Sequence, residues 1–463
     1  MSGRQETNRP SSAPLYTSAA KIYPREMKGR FASLSKLATI ILLGLFYVVP
    51  WLIWDDRQAF LFDLPARKFY LLGLTLWPQD FLYLALLLII AAISLFFFTA
   101  LGGRLFCGFA CPQTVWTEAF IWIEQFTEGT RSQRMKLDKA PWSWNKLRRK
   151  GSKQLLWITL ALWTGFTFVG YFVPIRELSS EIIALNVGGW TLFWGLFYAF
   201  ATYGNAGYMR EQVCKYMCPY ARFQSAMFDR DTLIISYDEQ RGEPRGSRKR
   251  GADPKGAGLG DCIDCTLCVQ VCPTGIDIRD GLQYECIACA ACIDACDSVM
   301  DKMNYPRGLV RYTTQHALEG KPSKLLRPRT VIYALLLTVL FSAMMFSMIT
   351  RTPLILDVIR DRNTLFRELP QGVIENSYTL KVINQSNDPR DFEVSVSGID
   401  GIHIDGISNP VSVDGGGVLS LPVRVRAHRD NAYGIMDINF TATSTDDDTI
   451  VVVEDSRFLA PTP

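Results

Sequence analysis

Cysteine is absent from the last part of the chain. All twelve cysteines lie between Cys107 and Cys296, so the residues that follow can supply neither disulfide bonds nor thiolate ligands. This part also has only two histidines, His403 and His428, and no visible catalytic constellation. We therefore expect no redox or metal chemistry in the last part of the chain.

The chain also lacks a strong excess of charge of either sign. Its 49 Lys and Arg residues nearly balance its 45 Asp and Glu residues, for a net charge of +4. This balance argues against nucleic acid as a general partner. Hydrophobic residues make up 48% of the 463 residues, a length that suggests about three domains.

Eight of the cysteines form two blocks with the spacing C-x2-C-x2-C-x3-C, which is typical of bacterial two-cluster ferredoxins. In such a pair, three thiolates of a block wrap one iron–sulfur cube, and the fourth closes the other. The spacing therefore predicts two [4Fe–4S] clusters, whereas zinc or disulfides would fit it poorly. The predicted ligands are Cys262, Cys265, Cys268 and Cys296 for cluster 1, and Cys286, Cys289, Cys292 and Cys272 for cluster 2.

Proline follows the first block as Pro273, but Asp297 takes the equivalent place after the second. We expect this exchange to change the local loop shape without removing a ligand.

The remaining cysteines form two copies of C-x3-C-P, in which Cys107 pairs with Cys111 and Cys214 with Cys218. A spacing of four predicts both sulfurs of a copy on one helix face, and the proline ends that helix or starts another. The copies suggest an internal repeat that could bring all four sulfurs together. Thiolates select Cu(I), zinc or iron–sulfur centres. A copper site, a dithiol and simple buried packing all stay open, with copper best suited to single-electron chemistry.

Five uncharged apolar runs are each long enough to cross a bilayer. They cover residues 37–54, 81–103, 155–175, 182–209 and 330–350, and we expect the fourth span itself to begin at about Gly188-Gly189. Lys and Arg are concentrated in 104–154, which predicts that this segment lies in the cytoplasm. The same rule places the N-terminus and the ferredoxin segment in the cytoplasm and the C-terminus outside.

The sequence thus predicts an α-helical membrane protein with five transmembrane helices, a cytoplasmic two-cluster ferredoxin segment and a C-terminal all-β immunoglobulin-like sandwich. Alternating apolar residues such as Tyr378, Leu380 and Val382 predict the strands of that sandwich. The predicted divisions are a cytoplasmic arm (1–36), a four-helix transmembrane region (37–239), a basic Gly-rich linker (240–260), the ferredoxin domain (261–329), the fifth span (330–350) and the periplasmic sandwich (351–463). We expect the linker to be a flexible tether, although contact with anionic lipid is an alternative.

These parts, in this order, resemble the FixG/RdxA/CcoG family of bacterial cytochrome oxidase accessory proteins. The resemblance implies a multi-pass protein of the bacterial inner membrane that assists assembly of cbb(3)-type oxidase. It also implies an oxidoreductase that reduces Cu(II) to Cu(I) before copper is delivered, with the C-x3-C-P cysteines as the catalytic site. The implied partners are the bilayer, oxidase subunits or assembly factors, copper and an unidentified electron donor.

Two other functions remain open at this point. One is a quinol dehydrogenase that feeds an exported reductase, which the lack of a redox group in the C-terminal part counts against. The other is a non-enzymatic assembly scaffold in which the clusters only sense the redox state.

Overall fold

The computed structural model describes residues 21–77, 80–250, 256, 258–361, 365–386 and 388–462. The chain divides into two compact units, the first ending at Leu340 and the second beginning at Phe341. Each unit is described by itself below.

The first unit is mainly helical, and its last helix continues into the second unit. The helices are α1 (Arg30–Val48), α2 (Phe81–Gly102), α3 (Leu105–Phe109), α4 (Pro112–Glu128), α5 (Arg131–Lys139), α6 (Trp144–Val169), α7 (Ile175–Ile183), α8 (Gly189–Thr202), α9 (Pro219–Met227), α10 (Glu239–Gly242), α11 (Leu267–Val271), α12 (Ala291–Met303), α13 (Gln315–Leu318) and α14 (Pro328–Ile349). Two π-helical segments, Tyr203–Met209 and Val213–Met217, lie between α8 and α9.

Within the described ranges, three helical stretches are long and apolar enough to cross a membrane: Arg30–Trp51, Phe81–Gly102 and Pro328–Ile349. They correspond to the first, second and fifth predicted spans. The first begins at Arg30, earlier than predicted, because the polar residues that precede the apolar run are also helical.

The third and fourth predicted spans do not reach that standard. Helix α6 begins with a basic stretch and ends at Val169. Its uncharged part is therefore too short to cross a bilayer by itself. The fourth span begins where expected, at Gly189, but its α-helical part, α8, has only 14 residues, and the helical stretch continues to Met209 as a π-helical segment. An α-helix of 14 residues is shorter than the roughly 20 residues that a bilayer requires.

The loop between α1 and α2 contains small sheets that the sequence did not predict. Strands β1 (Ile53–Trp54) and β2 (Arg57–Gln58) form a hairpin. Strands β3 (Phe60–Asp63), β4 (Lys68–Leu71) and β5 (Leu74–Leu76) form an antiparallel sheet in the order β3–β4–β5.

The predicted N-terminal arm is held in place where it is described. The side chain of Arg131 donates to the Tyr23 carbonyl at 2.9 Å, and that of Arg134 donates to the Pro24 carbonyl at 2.7 Å. The Arg25 amide donates to the Gln270 carbonyl at 2.8 Å. A disordered arm is therefore excluded for the residues just before α1, which are fixed against other segments, while residues 1–20 lie outside the described residues.

The basic Gly-rich stretch is also held against the ferredoxin segment. The Gly246 amide donates to the Cys262 carbonyl at 3.2 Å, and the guanidinium of Arg248 donates to the Gly260 carbonyl at 2.6 Å. The described part of 240–260 is thus packed and does not behave as the flexible tether that we expected. Residues 251–255 and 257 of the stretch lie outside the described residues.

A two-stranded sheet flanks the ferredoxin segment. Strand β6 (Ile234–Tyr237) pairs antiparallel with β7 (Val310–Thr313), although more than 70 residues separate them in sequence. Ile235 and Val310 of these strands share a buried apolar core with Met300 of α12. This core fixes both ends of the segment that carries the eight clustered cysteines.

The second unit contains two antiparallel sheets around one apolar core, as predicted. Its strands are β8 (Leu354–Arg360), β9 (Arg367–Leu369), β10 (Val373–Asn384), β11 (Arg390–Ser397), β12 (His403–Asp405), β13 (Val411–Val413), β14 (Val418–His428), β15 (Ile435–Ser444) and β16 (Val451–Leu459). One sheet has the order β12–β14–β10–β8, with β9 also paired to β10, and the other has the order β13–β11–β15–β16. Phe392, Phe440 and Phe458 are fully buried between them.

Candidate iron–sulfur centre and adjoining thiols

The two ferredoxin cysteine loops have the same backbone conformation. Asp264 and Thr266 in the first block, and Ala288 and Ala290 in the second, all have positive φ angles between 52° and 61°. These residues occupy equivalent places between the first three cysteines of each block. Left-handed residues on both sides of the central cysteine turn the backbone sharply, so the three thiols of a loop can face one centre.

The eight ferredoxin cysteines surround two separate cavities with apolar walls. One cavity is lined by Cys262, Cys265, Cys268 and Cys296. The other is lined by Cys272, Cys286, Cys289 and Cys292, with Cys268 at its edge. Each cavity thus takes its fourth cysteine from the other block, in the grouping that the spacing predicts.

The chemistry of these donors fits an iron–sulfur cluster. Burial is the main cause that raises the pKa of Cys268 to about 11 and that of Cys296 to about 12. At neutral pH such thiols lose their protons only beside a strongly cationic centre, which the iron of a cluster provides. The ligand assignment itself stays a prediction that iron analysis can test.

Asp297 does not lie in a loop, contrary to our expectation. It lies within α12, which continues to Met303, whereas α11 ends at Val271, just before Cys272. Because Asp297 lacks the restrictions of proline, the helix continues past Cys296. Its carboxylate accepts a hydrogen bond from the Gly308 amide at 3.0 Å, which ties α12 to the chain before β7.

The cysteines of a C-x3-C-P copy do not share one helix face, so that prediction is wrong. Cys107 lies in α3, but Cys111 is extended, with ψ of 129°, and precedes α4. Cys214 lies in a π-helical segment, and Cys218 is again extended, with ψ of 110°. The cause is the proline that begins α4 and α9, because a residue before proline is disfavoured in helical conformation.

The fold nevertheless brings the two C-x3-C-P copies together. The Cys107 sulfur lies 3.5 Å from the side-chain oxygen of Gln224, a residue of α9, which follows the other copy. Burial, together with the nearby thiols of Cys111 and Cys214, raises the pKa of Cys107 to about 12. Burial likewise raises the pKa of Cys214 to about 11, helped by Cys111 and Cys218. Each of the four thiols therefore lies within electrostatic range of at least two of the others.

The first C-x3-C-P copy also contacts the loop predicted to hold cluster 2. The guanidinium of Arg104 donates to the Cys286 carbonyl at 3.0 Å and to the Ala221 carbonyl at 2.8 Å. Gly108 packs so closely that an added Cβ would lie 2.7 Å from the Ala288 carbonyl oxygen. The ferredoxin segment is thus joined directly to α3 and to the residue that precedes it.

A cavity of about 190 Å³ separates the second copy from the ferredoxin segment. Its lining includes Cys214, the cluster-2 cysteine Cys289, Glu118 and Arg210. The sequence gave no local signal for this cavity, because its walls come from the N-terminal arm, α4 and the ferredoxin loops.

The buried ion pairs beside this cavity were not predicted from the sequence either. The Glu124 carboxylate lies 2.8 Å from Arg210, 3.3 Å from Arg134 and 3.6 Å from Lys21. Burial alone would raise the pKa of Glu124, but the Arg210 guanidinium and the other cations together lower it. The signal in the sequence is a carboxylate in the apolar run FIWIEQF, where an unpaired charge would be costly.

Among the residues that the structure describes, no three His, Cys, Asp or Glu side chains converge closely enough to hold a single metal ion. Both ferredoxin quartets are included in that finding. Their cysteines line the two cavities described above.

Three family models match the chain. A 4Fe-4S dicluster domain matches residues 209–315, and a 4Fe-4S binding domain matches residues 84–128. The third, the IG-like fold at the C-terminus of FixG, matches residues 344–461. These matches confirm the predicted iron–sulfur protein and its C-terminal immunoglobulin-like domain.

Relatives of known name match most of the chain. The nitrogen fixation protein FixG of Rhizobium meliloti is 39% identical, and the match covers 83% of this chain and 81% of that protein. Protein RdxA of Cereibacter sphaeroides is 37% identical, with 96% and 94% covered. A crystal structure of a FixG-related protein from Vibrio parahaemolyticus is 34% identical and covers 24% of this chain and 97% of that one, with a TM-score of 0.22.

Proposed function

The chain belongs to the FixG/RdxA family, and we propose from this premise that it is a membrane-bound cupric reductase. In this proposal it reduces Cu(II) to Cu(I) for delivery during assembly of cbb(3)-type cytochrome c oxidase. One observation carries the proposal: of the two cavities lined by ferredoxin cysteines, the one predicted for cluster 2 adjoins a further group of four cysteines through the Arg104 and Gly108 contacts. That arrangement suits single-electron transfer towards a thiophilic metal.

The ferredoxin cysteines would hold two [4Fe–4S] clusters, which supply storage of single electrons when bound. The chain's own part is to place them. The Arg104 guanidinium fixes the Cys286 loop against the first C-x3-C-P copy, so the two groups of cysteines stay in contact. The apolar walls of the two cavities shield most of the ferredoxin cysteines from water, whereas Cys265 is exposed.

Copper is the substrate, and we place its reduction beside Cys107, Cys111, Cys214 and Cys218. Cu(I) is soft and favours sulfur, whereas Cu(II) favours nitrogen and oxygen ligands. A sulfur-rich site therefore stabilises the reduced ion relative to the oxidised one. Each Cu(II) takes up one electron, which a cytoplasmic one-electron donor or a quinol would provide.

The proposal includes the membrane arrangement. Helices α6 and α8 would accompany the three long apolar helices, giving five spans in the bacterial inner membrane. The basic segment between α2 and α6 would lie in the cytoplasm together with the ferredoxin segment, by the Lys and Arg distribution. The C-terminal sandwich would then lie in the periplasm, where it could meet oxidase subunits or assembly factors.

The test is Cu(II) reduction by the anaerobically purified protein over many turnovers, with dithionite-reduced clusters and a Cu(I)-specific chelator. The double variant C214S/C218S should lose turnover while keeping the ferredoxin clusters, and Met217→Leu is the matched control in the same segment. Thiols alone give up two electrons per disulfide formed, so they cannot sustain turnover. Wild-type protein that carries its clusters but reduces no copper would overturn the proposal and favour the scaffold.

A further inference from the structure

The arrangement of the four C-x3-C-P cysteines suits a bound metal cluster better than a single copper ion. We propose that Cys107, Cys111, Cys214 and Cys218 hold a third iron–sulfur cluster, of the [4Fe–4S] type. This inference rests on the proposed function only in that the same site passes electrons onward. Copper would then meet the outer face of a cluster, and the four sulfurs would not be its own ligands.

The number and spacing of the thiols support a cluster. A four-iron cluster takes four cysteine thiolates, and the fold brings four thiols within electrostatic range. No three of them converge on a single-ion site within the described part of the chain. The two ferredoxin quartets, which the spacing predicts to hold clusters, likewise form no single-ion site among the described residues.

The backbone around these thiols suits an anionic group. Cys111 and Cys218 each cap the N-terminus of a helix, α4 of 17 residues and α9 of nine. Helix N-termini carry partial positive charge, and in α4 the backbone amides of Gln113 and Thr114 donate to the Cys111 sulfur. A cluster bound by four thiolates has a net negative charge, so two helix ends beside it are favourable.

A buried amide beside Cys107 provides an independent observation. Gln224 is fully buried, and its side-chain oxygen lies 3.5 Å from the Cys107 sulfur. Among the described residues its side-chain nitrogen has at most the Tyr220 hydroxyl as a weak acceptor, which leaves at least one of its two N–H groups without a partner. An unsatisfied buried N–H is costly. A cluster sulfide at this place would accept it, as amides do around other iron–sulfur clusters.

The proposed cluster would lie beside the predicted cluster 2. Gly108, in the first copy, packs against the Ala288 carbonyl of the loop between Cys286 and Cys289. The family model described as a 4Fe-4S binding domain, matched at 84–128, contains only Cys107 and Cys111 as cysteines. Both observations point to an iron–sulfur site at the segment that contains Cys107 and Cys111.

Iron and acid-labile sulfide content of the anaerobically purified wild-type protein tests the inference without any variant. Three [4Fe–4S] clusters give about twelve iron atoms per chain, whereas the ferredoxin clusters alone give about eight. Mössbauer spectra should assign all of this iron to four-iron clusters. About eight iron atoms, or about ten from an added two-iron cluster, would overturn the proposal.

Two double variants then locate the additional iron. C107S/C111S and C214S/C218S should each lose about four iron atoms, and the quadruple variant should lose no more, because both copies share one cluster. Met217→Leu should lose none. Losses that add between the two copies would show separate sites and contradict the inference. Since iron is counted without copper, failure of copper turnover alone leaves this result intact.

Gln224→Leu checks the cluster through a residue that is not a ligand. It should retain the full iron content but shift the reduction potential of one cluster, because an N–H donor to its sulfur is removed. The potentials are measured by EPR-monitored redox titration. A shift in a ferredoxin cluster, with nothing else affected, would contradict the placement.

Discussion

The carboxylate of Asp294 accepts a hydrogen bond from the backbone amide of Ala32 at 2.7 Å, and a longer one from the neighbouring amide. Asp294 lies between Cys292 and Cys296 on α12, while Ala32 lies in the first turn of α1. Helix α1 has no side-chain cap of its own, since Gly29 precedes it. A residue between two cluster cysteines thus caps the first long apolar helix and docks the ferredoxin segment on it.

Replacing Asp294 by Ala should remove this cap and loosen the docking. Loss of an N-cap carboxylate costs about 1–2 kcal/mol, so the variant should lose its cluster absorbance at a lower temperature than wild type. Asp294→Asn, which keeps a side-chain oxygen acceptor, is the matched control and should lie close to wild type. Equal melting of the alanine variant and wild type would show that the cap does not hold the two parts together.

The fold was predictable where the pattern is local. Alternation in β10 and β11 and the long apolar runs of α1, α2 and α14 are read directly from neighbouring residues. The Asp294 cap was not predictable, because the residue that it caps is 262 residues away in sequence. The same applies to β6 and β7, whose pairing encloses the ferredoxin segment from both ends.

The crossed ligand sets can be tested with single cysteine variants. Cys272→Ser should alter the EPR signal of the cluster held mainly by the second block, because Cys272 lines that cavity. Cys296→Ser, the matched variant, should alter the other signal. If each substitution disturbed only the cluster of its own block, the crossing would be wrong.

Glu124→Gln should be strongly destabilising because it leaves buried Arg134 and Arg210 without their carboxylate. Breaking a buried ion pair costs about 3–5 kcal/mol. Glu319→Gln, in an exposed pair with Lys321, is the control and should change little. Denaturant unfolding of the two variants measures the difference.

The same carboxylate predicts a pH dependence. The pKa of Glu124 in the folded protein lies below its ordinary value of 4.5, so its stabilising contribution is complete above that pH. The contribution is lost as the pH falls further, towards the lowered pKa. Wild type should therefore lose stability more steeply below about pH 4.5 than Glu124→Gln does. Parallel curves would show that folding does not shift the pKa of Glu124.

The second unit should be dispensable for cluster binding. It has its own core and no cysteine, so a chain that ends after residue 350 should retain the iron content of the full chain. Loss of iron would mean that the sandwich stabilises the first unit. An alkaline phosphatase fused to the C-terminus tests the proposed sidedness separately, and it should be active, whereas one inserted near Gly256 should not.

The candidate site was only partly accessible from sequence. Spacing alone grouped the eight ferredoxin cysteines, because three ligands of each cavity are local. The helix-face argument failed for Cys107 and Cys111, since it ignored the effect of Pro112 on the residue before it. Gln224 and Arg104 had no signal, because their roles depend on segments that meet only in the folded chain.

Arg104 offers the last prediction, because it links the two groups of cysteines. Its buried guanidinium donates to the carbonyls of Cys286, Tyr284 and Ala221. Arg104→Gln is too short to reach all three, and lost hydrogen bonds to a charged group cost about 1.5–3 kcal/mol each. We expect lower thermal stability and slower copper reduction, with the iron content retained.

Arg104→Lys is the informative comparison. Lysine keeps the positive charge near Cys107 but lacks the planar fork that bridges separate carbonyls. If charge alone mattered, the lysine variant would match wild type in copper turnover. If the bridge matters, as the three contacts indicate, it should resemble Arg104→Gln in turnover while its cluster EPR signals stay close to those of wild type. Rapid-mix kinetics with pre-reduced protein separates the two outcomes, because it measures transfer to copper without the preceding donor step.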